Sequence, residues 1–242
     1  LNARAYKQNR IRKCFQLSWK RRFSRIARRL IIEYSKPMLP DLGNFADPVD
    51  EIFYIVLSAK TTEKLYVEAF RRLKMRFPSL PILAGALLSS IRKCVGSAGF
   101  GNKRARQVKA IARRLLSDLH PDPAGQLRAM DDAELFEYLT SLPGVGPKSA
   151  FCVMVMSLGR DVFPVDVNVH RMARRLGAIP SGLKHFEAQK QLPPLIPRGM
   201  GKELHIAMVI HGRKICLPRN PNCGLCVVRR FCEFPRKSAI IP

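Results

Sequence analysis

Four cysteines near the C-terminal end, Cys216, Cys223, Cys226 and Cys232, follow the spacing Cys-x6-Cys-x2-Cys-x5-Cys. The x2 pair can place two thiolates on one metal centre, and the flanking loops wrap the other two around it. Four thiolates suit either tetrahedral zinc or a cubane iron–sulfur cluster. Zinc modules more often use two close pairs. A single close pair favours a larger object than one ion, and leaves zinc open. Arg213, Lys214, Arg219, Arg229 and Arg230 surround these cysteines. They either offset thiolate charge or are presented to phosphates. Cys14, Cys94 and Cys152 lie singly in apolar or basic surroundings and read as buried or incidental thiols. No secretory signal is present, so a disulfide framework is not expected.

A second constellation begins at Pro143-Gly144-Val145-Gly146, followed by Pro147 and Lys148. Two glycines around one residue let the backbone turn sharply between helices. The first amides of the following helix then point outward, aided by its dipole, and suit a phosphate. An ordinary helix–helix turn has the same signature. Lys148, next to such a phosphate, reads on its own first as a phosphate contact. Asp166, ahead of a helical run, reads on its own first as an N-cap.

The elements that carry these residues are helical almost throughout. Residues 20–35 fit one amphipathic helix, and Asp47-Pro48 starts another with an N-cap, a Pro at the first position and acids in the first turn. Ile52, Ile55, Val56 and Ala59 form its inward stripe. Further helices are expected over 63–76, 81–94, 102–119, 131–141, 147–158, 167–176, 183–192 and 200–214. No run of alternating residues argues for a sheet.

The 242-residue chain has 47% hydrophobic residues, enough for a core, and no apolar run long enough to cross a bilayer. A protein free of the membrane is therefore expected. The net charge is +25, from 43 Lys and Arg against 18 acids. That excess calls for a polyanion, because phosphate neutralisation releases condensed counterions. A ribosomal protein or an RNA binder would show the same balance, and a membrane surface fits less well because the charge is spread along the chain. Residues 1–30 hold 11 cations and no acid, yet an excess of 14 persists without them. This basic arm reads as a phosphate-tracking extension, a solvated basic helix or a processed leader.

Three segments now stand in order: Leu142-Pro143-Gly144-Val145-Gly146-Pro147-Lys148-Ser149-Ala150, then Pro164-Val165-Asp166-Val167-Asn168-Val169-His170-Arg171, then the four cysteines. Together they resemble the endonuclease III family of helix-hairpin-helix DNA glycosylases, from about residue 47 to 234. Leu57-Ser58-Ala59, Gly99 with Asn102-Lys103, and His211-Gly212-Arg213 leading into Cys216 support the likeness.

The resemblance implies an all-α, two-domain fold: a six-helix domain over 47–158 with the hairpin, and a helical iron–sulfur domain from 20–46 and 159–242, preceded by the arm over 1–19. DNA would bind at the cleft between the domains, gripped by the hairpin and by the cluster loop with Arg219, Arg229 and Arg230. The cysteine spacing is the family's 4Fe–4S pattern. Lys148 takes the position of the nucleophilic lysine of bifunctional members, and Asp166 that of the catalytic carboxylate. Phe100 stands where the family often places an apolar wedge. Lys60 stands where a Gln commonly probes the orphaned base, and Asn168 where bacterial members often have His. The run Val165–Val169 looks closer to plant methylcytosine glycosylases, which bears on the range of damaged bases.

The function so implied is a DNA N-glycosylase and AP (apurinic or apyrimidinic site) lyase of base excision repair. It would excise oxidised pyrimidines through a lysine Schiff base and cleave the strand by β-elimination. Its partner would be double-stranded DNA with damaged bases or abasic sites, and it would act as a monomer. Its place would be the bacterial cytoplasm and nucleoid, or the nucleus or an organelle of a eukaryote. The alternatives are a monofunctional mismatch or adenine glycosylase, and a non-catalytic DNA-binding protein with a structural cluster.

Overall fold

The computed structural model describes residues 3–35 and 42–234, with side chains from residue 17 onward. Cys14 and the cations of the arm up to residue 16 thus have side chains outside the described residues. The helices in chain order are α1 (Ala3–Tyr34), α2 (Pro48–Ser58), α3 (Glu63–Arg76), α4 (Leu80–Gly85), α5 (Leu88–Val95) and α6 (Gly101–Asp118). They continue with α7 (Pro123–Ala129), α8 (Asp132–Ser141), α9 (Pro147–Met156), α10 (Val167–Leu176), α11 (His185–Gln191) and α12 (Gly201–Lys214). Short 3₁₀ turns fill some joints, and no strand occurs among the described residues. The chain divides into two compact units, Leu1–Leu42 with Asp161–Pro242, and Gly43–Arg160.

In the first unit, α1 is continuous from Ala3, well before the expected start at residue 20. No Gly or Pro interrupts the stretch. Among the side chains described, Trp19, Phe23, Ile26, Ala27 and Leu30 of α1 are buried. They share that core with Val169, Met172, Ala173 and Leu176 of α10 and with Leu204, Ala207 and Met208 of α12.

In the Gly43–Arg160 unit, α2 is apolar on nearly every face and is buried from Pro48 to Leu57 apart from Asp50. Asp47 caps it, its Oδ1 accepting from the amides of Val49 (2.7 Å) and Asp50 (3.2 Å). The fully buried Glu51 accepts from the Phe45 amide at 2.9 Å and from the Asn44 side chain, which ties down the approach to the helix. Around α2 the core holds Leu73, Ile91, Ile111, Leu115, Leu127, Leu135 and Leu139, all essentially inaccessible. Each contributes about 1.5–3 kcal/mol by leaving water.

Two expectations differ from the structure here. The helix expected over 81–94 is two helices, because Ala86 and Leu87 are extended (ψ 149° and 137°). The break is stabilised from α6: Lys109 Nζ donates to the Ala86 carbonyl at 2.6 Å, and Arg113 Nε to the Ala84 carbonyl at 3.3 Å. The helix α7 lies where none was expected. Its start repeats the device of α2, with Asp122 Oδ1 accepting from the Gly125 amide at 2.9 Å and Pro123 at the first position.

Candidate active site and metal centre

The hairpin lies between α8 and α9. The Leu142 carbonyl accepts from the Val145 amide at 3.1 Å, which closes the turn. Gly144 has φ +87°, and a Cβ there would lie 2.3 Å from Gln107 Nε2 of α6, so glycine is required twice over. Gly144 and Gly146 are exposed, whereas Val145 is buried (5%) and anchors the turn. Of the hairpin residues expected to bind DNA, Val145 thus has its side chain in the core and its amide committed to Leu142. Gly146 is the N-cap and Pro147 the first residue of α9, so half-buried Lys148 is the second residue of that helix. Lys148 thus stands in the first turn, whose backbone amides have no acceptor within their own helix.

Two loops of the same unit carry further expected DNA contacts. Lys60 follows α2 in a left-handed conformation (φ 56°) and is exposed. Phe100 is also left-handed (φ 51°), follows Gly99 (φ 80°), and is 66% exposed at the loop tip. Asn102 and Lys103 are exposed in the first turn of α6. Arg104, one residue on, turns inward and is 4% exposed. Its guanidinium donates to the carbonyls of Val56 and Ala59 on one side, and through Nε to the Gly99 carbonyl at 2.8 Å on the other. One buried cation therefore holds the Lys60 turn and the Phe100 loop together. Burial lowers its pKa, and the three carbonyls keep it hydrogen-bonded. Nothing in the sequence distinguishes Arg104 from its basic neighbours.

Replacing Arg104 by Met is expected to lower the unfolding free energy by about 3 kcal/mol, since hydrogen bonds to a charged group are lost and buried carbonyls go unmet. Arg104→Lys recovers only part of it, because an ammonium lacks the planar fork that reaches both loops. Urea unfolding checks this; a loss under about 1 kcal/mol for Met contradicts it.

Asp166 belongs to the first unit. The segment before it is clamped: the buried Gln189 accepts from the Val165 amide (2.8 Å) and donates to the Phe163 carbonyl (2.9 Å), and buried His205 meets the Pro164 carbonyl at 3.0 Å. Asp166 then caps α10, its Oδ1 accepting from the amides of Asn168 (2.9 Å) and Val169 (2.7 Å). Its Oδ2 accepts from Asn168 Nδ2 at 2.9 Å. Asn168 Oδ1 in turn accepts from Arg171 at 2.8 Å, and Arg171 also donates to the carbonyls of Gly212 and Cys216, each at 2.8 Å. A continuous hydrogen-bonded chain thus joins Asp166 to the start of the cysteine segment.

The four cysteines line one cavity of about 300 Å³, counting its open mouth, with Ile215, Pro221 and Phe234 among the other walls. No disulfide forms among them. Yet no three His, Cys, Asp or Glu side chains among the described residues converge closely enough for one metal ion. A single zinc would need thiolates at about 2.3 Å. Four cysteines around one space have the donor set of a multi-atom cluster as well as of a single ion.

The sulfurs differ in their surroundings. Arg175 donates to Cys216 Sγ (3.2 Å) and to the carbonyls of Leu217 (2.8 Å) and Pro218 (3.0 Å). Burial pushes the Cys226 thiol up to about 11 and raises Cys232 as well, with the neighbouring cysteines adding to both shifts. Uncoordinated they stay thiols; coordination to iron deprotonates them. Arg219, Arg229 and Arg230 are all exposed on this segment. Cys94 and Cys152 are buried within the Gly43–Arg160 unit, and burial raises the Cys94 pKa, as in an inert structural thiol.

Residues 53–197 match the family model described as HhH-GPD superfamily base excision DNA repair protein. The chain belongs to that superfamily. Residues 216–232 match a second model, the iron-sulfur binding domain of endonuclease III. Its relatives include endonuclease III proteins. Endonuclease III of Sulfolobus acidocaldarius is 28% identical over 185 residues, covering 76% of this chain and 80% of that protein. Endonuclease III of Thermotoga maritima is 28% identical over 191 residues, covering 79% and 85%. A solved non-covalent endonuclease III–DNA complex is similar in fold, with a TM-score of 0.77 at 23% identity over 91% of this chain and 98% of that one.

The chain is therefore an endonuclease III-like DNA glycosylase of base excision repair, all-helical, with a 4Fe–4S cluster on its C-terminal cysteines. The zinc reading of those cysteines is set aside. Among the described residues, no helix is long and apolar enough to cross a membrane.

Proposed function

We propose that the protein is a bifunctional glycosylase and AP lyase acting on oxidised pyrimidines and abasic sites in duplex DNA, with Lys148 as nucleophile and Asp166 as its carboxylate partner. The observation that carries this reading is a lysine, Lys148, as the second residue of α9, directly after the hairpin, in a chain of this family.

The damaged nucleotide leaves the stack so that its sugar can be reached. Neutral Lys148 Nζ attacks C1′, the C1′–base bond breaks, and the base leaves with its electron pair and takes up a proton. The C1′–O4′ bond then opens, with O4′ taking up a proton, and the Schiff base so formed between Nζ and C1′ acidifies the 2′ position. Loss of a 2′ proton then expels the 3′ phosphate and breaks the strand. A lysine nucleophile must first shed its proton. Asp166, ionised at a helix N-terminus, stabilises positive charge growing on the sugar. Phe100 fills the gap left by the nucleotide, and Lys60 donates to the orphaned base. Gly144, Gly146, Asn102, Lys103, Arg219, Arg229 and Arg230 hold phosphates. Val145 serves the same end by packing the hairpin in place. The 4Fe–4S cluster shapes the Arg219–Arg230 segment and takes no part in the chemistry. The enzyme acts as a monomer, off the membrane, in whichever compartment holds its DNA.

Borohydride treatment during turnover on a duplex with one oxidised pyrimidine tests this. A covalent protein–DNA adduct whose modified peptide contains Lys148 is expected, together with strand cleavage. Base release with an intact strand and no adduct points instead to a monofunctional glycosylase.

A further inference from the structure

His211 is 1% exposed, yet both of its ring nitrogens have partners. Nδ1 lies 2.8 Å from the hydroxyl of Tyr34, at the end of α1. Nε2 lies 3.3 Å from Sγ of Cys226. The Tyr34 and His211 rings meet edge to face, with centroids 5.8 Å apart. The backbone of His211 is engaged as well: its carbonyl accepts from the amides of Ile215 and Cys216, each at 2.8 Å, and so ends α12 and delivers the first cysteine. All of these groups lie in the unit that holds the four cysteines.

The chemistry of the ligand sets the direction of the hydrogen bonds. A cysteine bound to iron is a thiolate, with no proton to give. The contact between Nε2 and Cys226 is then a hydrogen bond only if Nε2 carries the proton. Nδ1 is left bare and accepts from the Tyr34 hydroxyl. With Tyr34 donating to Nδ1 and Nε2 donating to sulfur, every polar atom in this buried row is satisfied. The opposite assignment would set a lone pair against a thiolate and leave the imidazole proton to the tyrosine oxygen.

We propose that Tyr34 and His211 form a relay that fixes an N–H···S hydrogen bond to Cys226 and so sets the reduction potential of the cluster. A donor at a ligand sulfur stabilises the more negative charge state, which raises the potential. Tyr34 is a positioning residue in this device: it touches the imidazole and not the sulfur. The inference rests on the cluster and is independent of the glycosylase and lyase assignments.

The test is voltammetry of the loaded full-length protein, comparing wild type with His211→Leu, His211→Gln and Tyr34→Phe at equal iron content. In the measured step one electron enters from the electrode, no bond forms or breaks and no proton moves. His211→Leu should shift the midpoint to more negative potential. His211→Gln, whose amide can place an N–H where Nε2 stood, should move it back toward wild type. Tyr34→Phe should shift it in the same direction as Leu, by less. An independent reading needs no variant: ¹⁵N NMR of histidine-labelled wild type should find the His211 proton on Nε2. Equal potentials for wild type and His211→Leu at equal iron content overturn the proposal, and so does a proton on Nδ1.

Discussion

Lys148→Ala is expected to lower strand cleavage at an abasic site by on the order of 10³-fold or more, as removal of a nucleophile does when nothing nearby replaces it. Binding to undamaged duplex should change little, since one cation among many phosphate contacts shifts the salt slope by about one. Folding should change little too. Lys148 is only half-buried and follows Pro147 in the first turn of α9, where the cap geometry belongs to Gly146 and Pro147. The informative comparison is cleavage and borohydride trapping at one stated salt concentration. Lys148→Ala that still traps at the wild-type rate removes the nucleophile assignment. Loss of duplex affinity alongside cleavage would return Lys148 to the role of a phosphate contact.

The second large effect separates two roles that Asp166 combines. As a cap, Asp166 holds the amides of Asn168 and Val169 through a single oxygen, Oδ1. Asn caps helices nearly as well as Asp, so Asp166→Asn should keep stability within about 1 kcal/mol. It removes the negative charge, however, and base release should fall by on the order of 10²–10⁴-fold. Asp166→Ala should lose the same activity and about 1 kcal/mol of stability besides. Thermal unfolding and single-turnover base release, measured on the same preparations, decide between the roles. If Asn restores full activity, Asp166 is a cap and nothing more.

Much of the scaffold is legible in the chain because its signals are local. The helix over 167–176 has the bounds expected of it, since Asp166 caps one end and Gly177 takes up the left-handed conformation at the other (φ 83°). The exposed position of Phe100 likewise follows from the glycines on either side. Other features hide because the deciding contact is distant in sequence. The break at Ala86 depends on Lys109 and Arg113 reaching back from α6. The inward turn of Arg104, and the clamp of Gln189 and His205 on residues 163–165, depend on which face of a helix the fold buries. The start at Asp122-Pro123 carried the same cap signal as Asp47-Pro48 but too short an apolar repeat to announce a seven-residue helix. For the cysteines, spacing alone leaves zinc open. The match of residues 216–232 to an iron-sulfur domain settles the matter.

The sharing of Arg104 between two loops has an evolutionary consequence. Lys60 and Phe100 are far apart in the chain, yet one guanidinium sets the backbone of both. Under the roles proposed for Lys60 and Phe100, substitutions that retune how the opposite base is read cannot be chosen loop by loop. A change that shifts the Ala59 carbonyl alters the grip on Gly99, so paired changes in the two loops should show coupling well beyond additivity. A lineage drifting toward a new lesion would then accept changes in the two loops in a restricted order, with Arg104 as the pivot that makes one acceptable only after the other.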